Sequence, residues 1–203
     1  MNSSNVQKNV QNSRAARLEE EQLARVQDQK NKRFGLQLWR IANGAVFVFF
    51  VMANSLMRQT QTVWPPEGIS RLDATIPAVI SLGLVLSGLT AARVQSAVRR
   101  EDREGILRNI LFTVALGLVF LVGMAYVWQH VKPSGSYTAI FFTMTGFHAL
   151  HVLIGMLLFG YVYWKAQRGA YTKDDYWSLE ATVIFWHFVD LMWVLYFVVL
   201  YIF

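Results

Sequence analysis

Apolar residues fall in five long blocks along this chain, and most polar residues lie in the stretches between them. The blocks cover about residues 36–57, 76–92, 106–128, 137–164 and 177–203. A hydrocarbon core of roughly 30 Å is crossed by about 20 mainly apolar helical residues, so each block has the length of a span. The second block is at the short end of that range and needs its flanks. Helices are the form expected, because in lipid a backbone must satisfy its own hydrogen bonds. The pattern therefore predicts an all-α, polytopic membrane bundle of five transmembrane helices over residues 34–203. A polar N-terminal arm over 1–33 precedes it.

Aromatic residues sharpen the ends of the blocks. Trp39, Trp64, Trp128, Tyr137, Trp164, Tyr176 and Trp177 lie at or near them, where amphipathic rings settle at headgroup level. Trp64-Pro65-Pro66 reads as a stiff turn, because the second proline holds the first away from helical geometry. In the second block Gly83, Ser87 and Ala91 recur every four residues. That ridge of small side chains lets another helix approach closely.

Composition agrees with a membrane setting. Hydrophobic residues make up 54% of the chain and charged residues 16%, against about 25% charged in a soluble domain. No acid occurs between Asp28 and Glu67, and residues 191–203 carry no charge. The formal net charge of +6 invites a nucleic-acid partner. The Lys and Arg residues instead sit in the links between apolar blocks, as loop charges do, so no nucleic acid is expected. Arg58 and Arg71, and then Lys132, mark basic-poor links. Arg93, Arg99, Arg100, Arg103 and Arg108, and then Lys165, Arg168 and Lys173, mark basic-rich ones. The alternation predicts a cytoplasmic N-terminus, an external C-terminus and an odd number of crossings.

The arm resembles neither a signal nor a transit peptide. No apolar core follows Met1 closely, and Glu19, Glu20 and Glu21 form an acidic run. A helix over 13–32 would carry only a thin apolar stripe of Leu18, Leu23 and Val26, so the arm is expected to be mobile or docked on a partner. Arg40 stands where it can snorkel towards lipid phosphates. With no cysteine in the chain, disulfides, thiolate metal sites and Cys nucleophiles are excluded.

Polar groups inside the hydrocarbon are costly, which makes them the candidate functional residues. The fourth span holds His148 and His151, and the fifth holds Glu180, His187 and Asp190. At a rise of about 1.5 Å per residue, His148, His151, Asp190 and His187 lie roughly 16, 21, 20 and 24 Å from the outer ends of their spans. The two spans are antiparallel and joined by a short link, so these four groups are expected to meet near mid-membrane. Glu180 would lie nearer the cytoplasmic side. His187 and Asp190, three apart, would then satisfy each other. Such a cluster suits a haem or metal centre, a proton relay, or a polar network that ties helices together and anchors lipid. Three histidines without a distinctive ligand spacing, and few acids, favour the network. His130, outside the third span, is read as a solvated interfacial side chain.

Thr145-Gly146-Phe147-His148-Ala149-Leu150-His151-Val152-Leu153-Ile154-Gly155 resembles the TGFHGxHVxxG signature of subunit III of the haem–copper oxidases. Glu180 followed by Trp186-His187-Phe188-Val189-Asp190-Leu191-Met192-Trp193 resembles the E…WHFVDxxW run of that family's last helix. Trp64-Pro65-Pro66 is similar to its WPP loop. The resemblance implies a five-helix bacterial member without the first two helices of seven-helix relatives, seated in a bacterial cytoplasmic membrane. It implies a non-catalytic accessory subunit that flanks catalytic subunit I, with subunit II also in the complex. Haem and copper would be held by partner subunits and phospholipid by this chain, with support for proton uptake and oxygen access in subunit I. His148, His151, Glu180, His187 and Asp190 would form the intramembrane polar network.

One departure stands out. The family places a Ser-Glu pair in the helix matching the first span, where this chain reads Arg40-Ile41-Ala42-Asn43-Gly44-Ala45-Val46-Phe47 without an acid. The accessory protein of a nitric oxide reductase is therefore an alternative within the family, and a stand-alone His-ligated haem carrier is an alternative outside it.

Overall fold

Lipid leaves the backbone little choice, and the structure, a computed structural model, is helical. It describes residues 3–61, 72–132, 135–173 and 175–202, without the side chains of 3–11, 13 and 15. Five helices follow one another: α1 (Ser3–Gln59), α2 (Thr75–Arg99), α3 (Arg103–His130), α4 (Gly135–Gln167) and α5 (Trp177–Phe197), the last running into a π-helical turn (Val198–Ile202). Each contains a stretch long and apolar enough to cross a membrane, and no strand occurs among the described residues. The Trp64-Pro65-Pro66 turn and Arg71 lie outside the described residues.

Helix boundaries depart from the hydropathy reading in a consistent direction. Hydropathy marks where lipid begins, whereas a helix stops only where its backbone is capped. Accordingly α2 continues past residue 92 to Arg99 and carries Arg93 with it. Its end is a tight reversal in which Glu101 takes a left-handed φ of 55°. Asp102 then caps α3, accepting a hydrogen bond from the Gly105 N–H at 2.9 Å. At the end of α4, Gly169 adopts a φ of +67°. The N–H groups of Gly169 and Ala170 return to the carbonyls of Ala166 and Lys165, a glycine-terminated helix end. The Arg103 guanidinium also donates to the Ala166 and Gln167 carbonyls, tying the start of α3 to the end of α4.

The larger departure is in α1. The arm expected over 1–33 is helical from Ser3, and the same helix continues into the first span. Ala, Arg, Leu, Glu and Gln dominate residues 15–29, all strong helix formers, and no glycine or proline interrupts them. By contacts the chain divides into residues 1–43 and 44–203. In the first unit, Lys32 pairs with Asp28 one turn away at 2.5 Å, and Arg40 is exposed.

In the second unit α2 packs on α3 and α5, α3 on α4, and α4 on α5, so four helices form a closed ring of neighbours. Leu84, Ile110, Phe120, Met124, Phe141, Met144, Phe159, Trp186 and Trp193 fill its interior. The part of α1 in this unit contributes Phe47 and Asn54 to buried positions. Its Val48, Phe49, Met52 and Leu56 remain exposed.

Candidate functional site in the last two spans

Trp186 on α5 organises the interior. Its indole lies between two glycines on different helices. A Cβ added at Gly117 of α3 would come within 2.8 Å of the ring, and one at Gly155 of α4 within 2.7 Å. The indole N–H donates to Ser87 Oγ on α2 at 2.9 Å. One turn-pair further along α5, Trp193 donates to Ser81 Oγ of α2 at 2.7 Å. A third indole, Trp128 of α3, donates to Thr145 Oγ1 of α4 at 3.0 Å. Thr90 and Thr113 join α2 to α3 at 2.7 Å. Each bond satisfies a buried donor that lipid cannot satisfy.

The small-residue ridge of α2 is used in part. Ser87 and Ala91 are buried, but a Cβ at Gly83 would meet nothing within 4 Å. Close approach occurs instead at Gly88, where a Cβ would lie 2.6 Å from Asp190 Oδ2 and 3.6 Å from His187 Nδ1.

The five predicted polar residues do not form one cluster. His148 is fully buried in a box of rings, 4.9 Å from Trp193, 5.5 Å from Phe120, 6.4 Å from Phe47 and 6.5 Å from Tyr196 between centroids. Neither of its ring nitrogens has a hydrogen-bond partner among the described residues. His151, one turn on, donates from Nδ1 to the Phe147 carbonyl at 2.9 Å and packs against Phe47 and Phe147. His187 and Asp190 lie on another side of α5, against Gly88 of α2, and His187 is exposed. Asp190 Oδ1 is buried with no hydrogen-bond partner among the described residues, so the expected mutual satisfaction of His187 and Asp190 does not extend to that oxygen. Glu180 is half-buried in the first turn of α5, where the helix dipole favours a carboxylate. His148 and His151 thus share Phe47 as a neighbour, while His187 and Asp190 face Gly88 of α2.

Phe47 is the residue that sequence reasoning missed. It is fully buried and touches the rings of Phe147, His151, Phe188 and Tyr196, seating α1 on α4 and α5 beside the two histidines. Among the described residues no group of three or more His, Asp or Glu side chains is arranged to hold a metal ion. His130 is exposed and bonds through Nδ1 to the Tyr126 carbonyl at 2.8 Å.

Between α4 and α5 the link has its own clasp. Tyr171 OH and Ser178 Oγ are 2.9 Å apart, and Lys165 Nζ donates to the same Ser178 Oγ at 3.4 Å. The Lys165 ammonium also sits over the Tyr171 ring, 5.1 Å from its centroid. Burial pushes the Tyr171 phenol above its usual pKa, with the Ser178 hydrogen bond opposing and Tyr161 and Asp175 reinforcing the rise.

Fold and site together define a multi-pass membrane bundle in which tryptophan–hydroxyl bonds join the helices and the polar groups of the last two spans are held among aromatic rings. A family model described as cytochrome c oxidase subunit III matches residues 18–203. Cytochrome c oxidase subunit 3 of Synechocystis sp. is 33% identical over 174 residues, covering 84% of this chain and 75% of that protein. The Thermostichus vulcanus protein of the same name is 33% identical over 172 residues, covering 83% and 85%. That of Dugong dugon is 30% identical over 182 residues, covering 85% and 70%. The chain belongs to the cytochrome c oxidase subunit III family.

Proposed function

We propose that this chain is a non-catalytic accessory subunit of a haem–copper terminal oxidase in a bacterial cytoplasmic membrane. The observation that carries the reading is the family match, which runs through all five helices rather than one motif. In this role the chain stabilises catalytic subunit I, holds phospholipid against its flank, and supports proton uptake and oxygen access in its partner. Haem and copper belong to subunits I and II. The N-terminal arm over 1–33 lies on the cytoplasmic side of the transmembrane domain over 34–203.

The surroundings of the histidines favour this reading over a haem carrier. His148 is packed by Phe120 and Trp193, whereas His187 faces α2 at Gly88. The pair does not look onto a common space in which a macrocycle would be ligated from both sides. The apolar side chains left open on α1, among them Phe49 and Met52, support a lipid-holding flank. The polar network is then structural: His148, His151, Glu180, His187 and Asp190 are held within the bundle, and Arg40 contacts headgroups.

The test is purification of the native complex through a tag on this chain. An oxidase subunit I as the largest partner, and a faster loss of oxygen-reducing activity during turnover when this chain is removed, are expected. A nitric oxide reductase as the partner, which the acid-free first span keeps in play, would redirect the reading within the family. A Soret band belonging to the isolated polypeptide would overturn it.

A further inference from the structure

α5 has a stripe that is largely open at its outer edge among the described residues. His187, Asp190, Leu191 and Val194 stand at the i, i+3, i+4, i+7 spacing of one helix face. His187, Leu191 and Val194 are exposed and Asp190 is half-buried. The neighbouring face of α2 presents exposed Val85, Leu86 and Leu89. Between them Gly88 of α2 is buried under the Asp190 carboxyl, whose Oδ1 is buried and unpartnered among the described residues. The outer surface of the α2–α5 pair is therefore an apolar band with an ionisable pair set into it.

Depth decides what can meet that pair. Asp190 lies roughly 20 Å from either end of the helix that runs from Trp177 through Ile202. It thus sits near the middle of a hydrocarbon layer about 30 Å thick, some 15 Å from the headgroups. Acyl chains offer no hydrogen bond there, and an intramembrane carboxyl facing lipid is strongly disfavoured. A protein helix supplies both apolar cover and a hydrogen-bonding group at that level, and the half-buried Asp190 carboxyl keeps part of its surface open to such a partner.

We propose that the α2–α5 face centred on His187 and Asp190 is the docking surface for a transmembrane helix of the partner subunit, which presents a hydrogen-bonding side chain to Asp190 at mid-membrane. The inference rests on the accessory-subunit reading and adds to it the face that is covered and the chemistry of the contact.

The test uses the intact complex with a photo-crosslinking phenylalanine derivative in place of Leu191 or Val194 on this face. Leu118 of α3 and Leu157 of α4, both exposed, serve as comparison positions. Crosslinks from Leu191 and Val194 to the catalytic subunit, well above those from Leu118 and Leu157, are expected. Crosslinks from α5 to lipid, or between two copies of this chain through reciprocal His187–Asp190 contacts, would overturn the proposal. Crosslinks to the catalytic subunit from α3 or α4 alone would overturn it while leaving the accessory reading intact. A chain that purifies with no oxidase subunit would remove both.

A second measurement asks about the polar contact itself. Asp190→Leu should reduce retention of this chain through detergent washing by about tenfold, the effect of losing one buried charge-assisted hydrogen bond. Asp190→Asn, which keeps an acceptor, should retain most of it. Equal retention in wild type and Asp190→Leu would overturn the contact.

Discussion

Trp186 and Ser87 are 99 residues apart in sequence, and the indole N–H of one donates to the hydroxyl oxygen of the other at 2.9 Å. The bond joins the last helix to the second across the interior of the bundle. It also fixes the rotation of α5, since the same indole is gripped by Gly117 and Gly155. The faces on which His187 and Asp190 emerge follow from that rotation.

Removing the acceptor should expose how much the bond contributes. Ser87→Ala leaves the Trp186 N–H buried without a partner, at a cost of about 1–3 kcal/mol. The thermal midpoint for release of this subunit from its complex should fall accordingly. Combining Ser87→Ala with Trp186→Phe should cost less than the sum of the two, because the second change removes the orphaned donor. Strict additivity would contradict a direct bond.

The glycines give a sharper contrast. Gly155→Ala places a methyl 2.7 Å from Trp186 Cε3 and 2.9 Å from Cζ3, and overpacking of this kind costs about 1–3 kcal/mol. Gly160→Ala lies on the same helix, but its Cβ meets nothing within 4 Å. It should leave stability unchanged or raise it by up to about 1 kcal/mol through helix propensity. Equal midpoints for the two variants would argue against the slot.

His148 offers a test of role rather than of packing. Both of its nitrogens lack partners among the described residues, inside a wall of aromatic rings. Replacing an unpartnered polar ring by an apolar one of similar shape removes a desolvation cost. His148→Phe should therefore assemble normally, with a subunit-release midpoint equal to or above wild type. Loss of assembly, or of a haem signal from the chain, would assign the imidazole a ligand or proton-carrying role.

The α4–α5 link should respond to alkaline pH. Burial holds the Tyr171 phenol above its usual pKa of 10.0, so folding favours the neutral form. The clasp's contribution is then fully present below the unfolded value near 10 and is lost as pH rises through the higher folded value. A fluorophore attached through Thr172→Cys should report loosening of the link above that point only. Tyr171→Phe should abolish the transition, and an unaltered transition would assign it to another group.

The five spans were legible because lipid imposes one solution on any long apolar block. The ends were less so. Arg99, Asp102 and Gly169 set them through caps and left-handed turns, which hydropathy does not register. A helix over 13–32 is open in the sequence, but its thin apolar stripe leaves it undecided; residues 15–29 are helix-forming without being amphipathic. For the site, spacing along the chain gives depth but not azimuth. The neighbours of His148 and His187 depend on how α4 and α5 are turned, and Trp186, gripped by Gly117 and Gly155, fixes the turn of α5. The Gly155 signal was present inside the TGFH motif, but the sequence contains no mark that pairs it with a tryptophan 31 residues later.

Chain order gives the Trp186 contact a further meaning. Ser87, Gly117 and Gly155, on α2, α3 and α4, all leave the ribosome before Trp186 does. The slot thus exists before the ring that fills it. A nascent chain halted after its fourth crossing carries the parts of that notch, one hydroxyl and two bare backbones, on helices joined by the Thr90–Thr113 and Trp128–Thr145 bonds. Insertion of the fifth helix is then what fills the notch and joins α5 to the three helices before it.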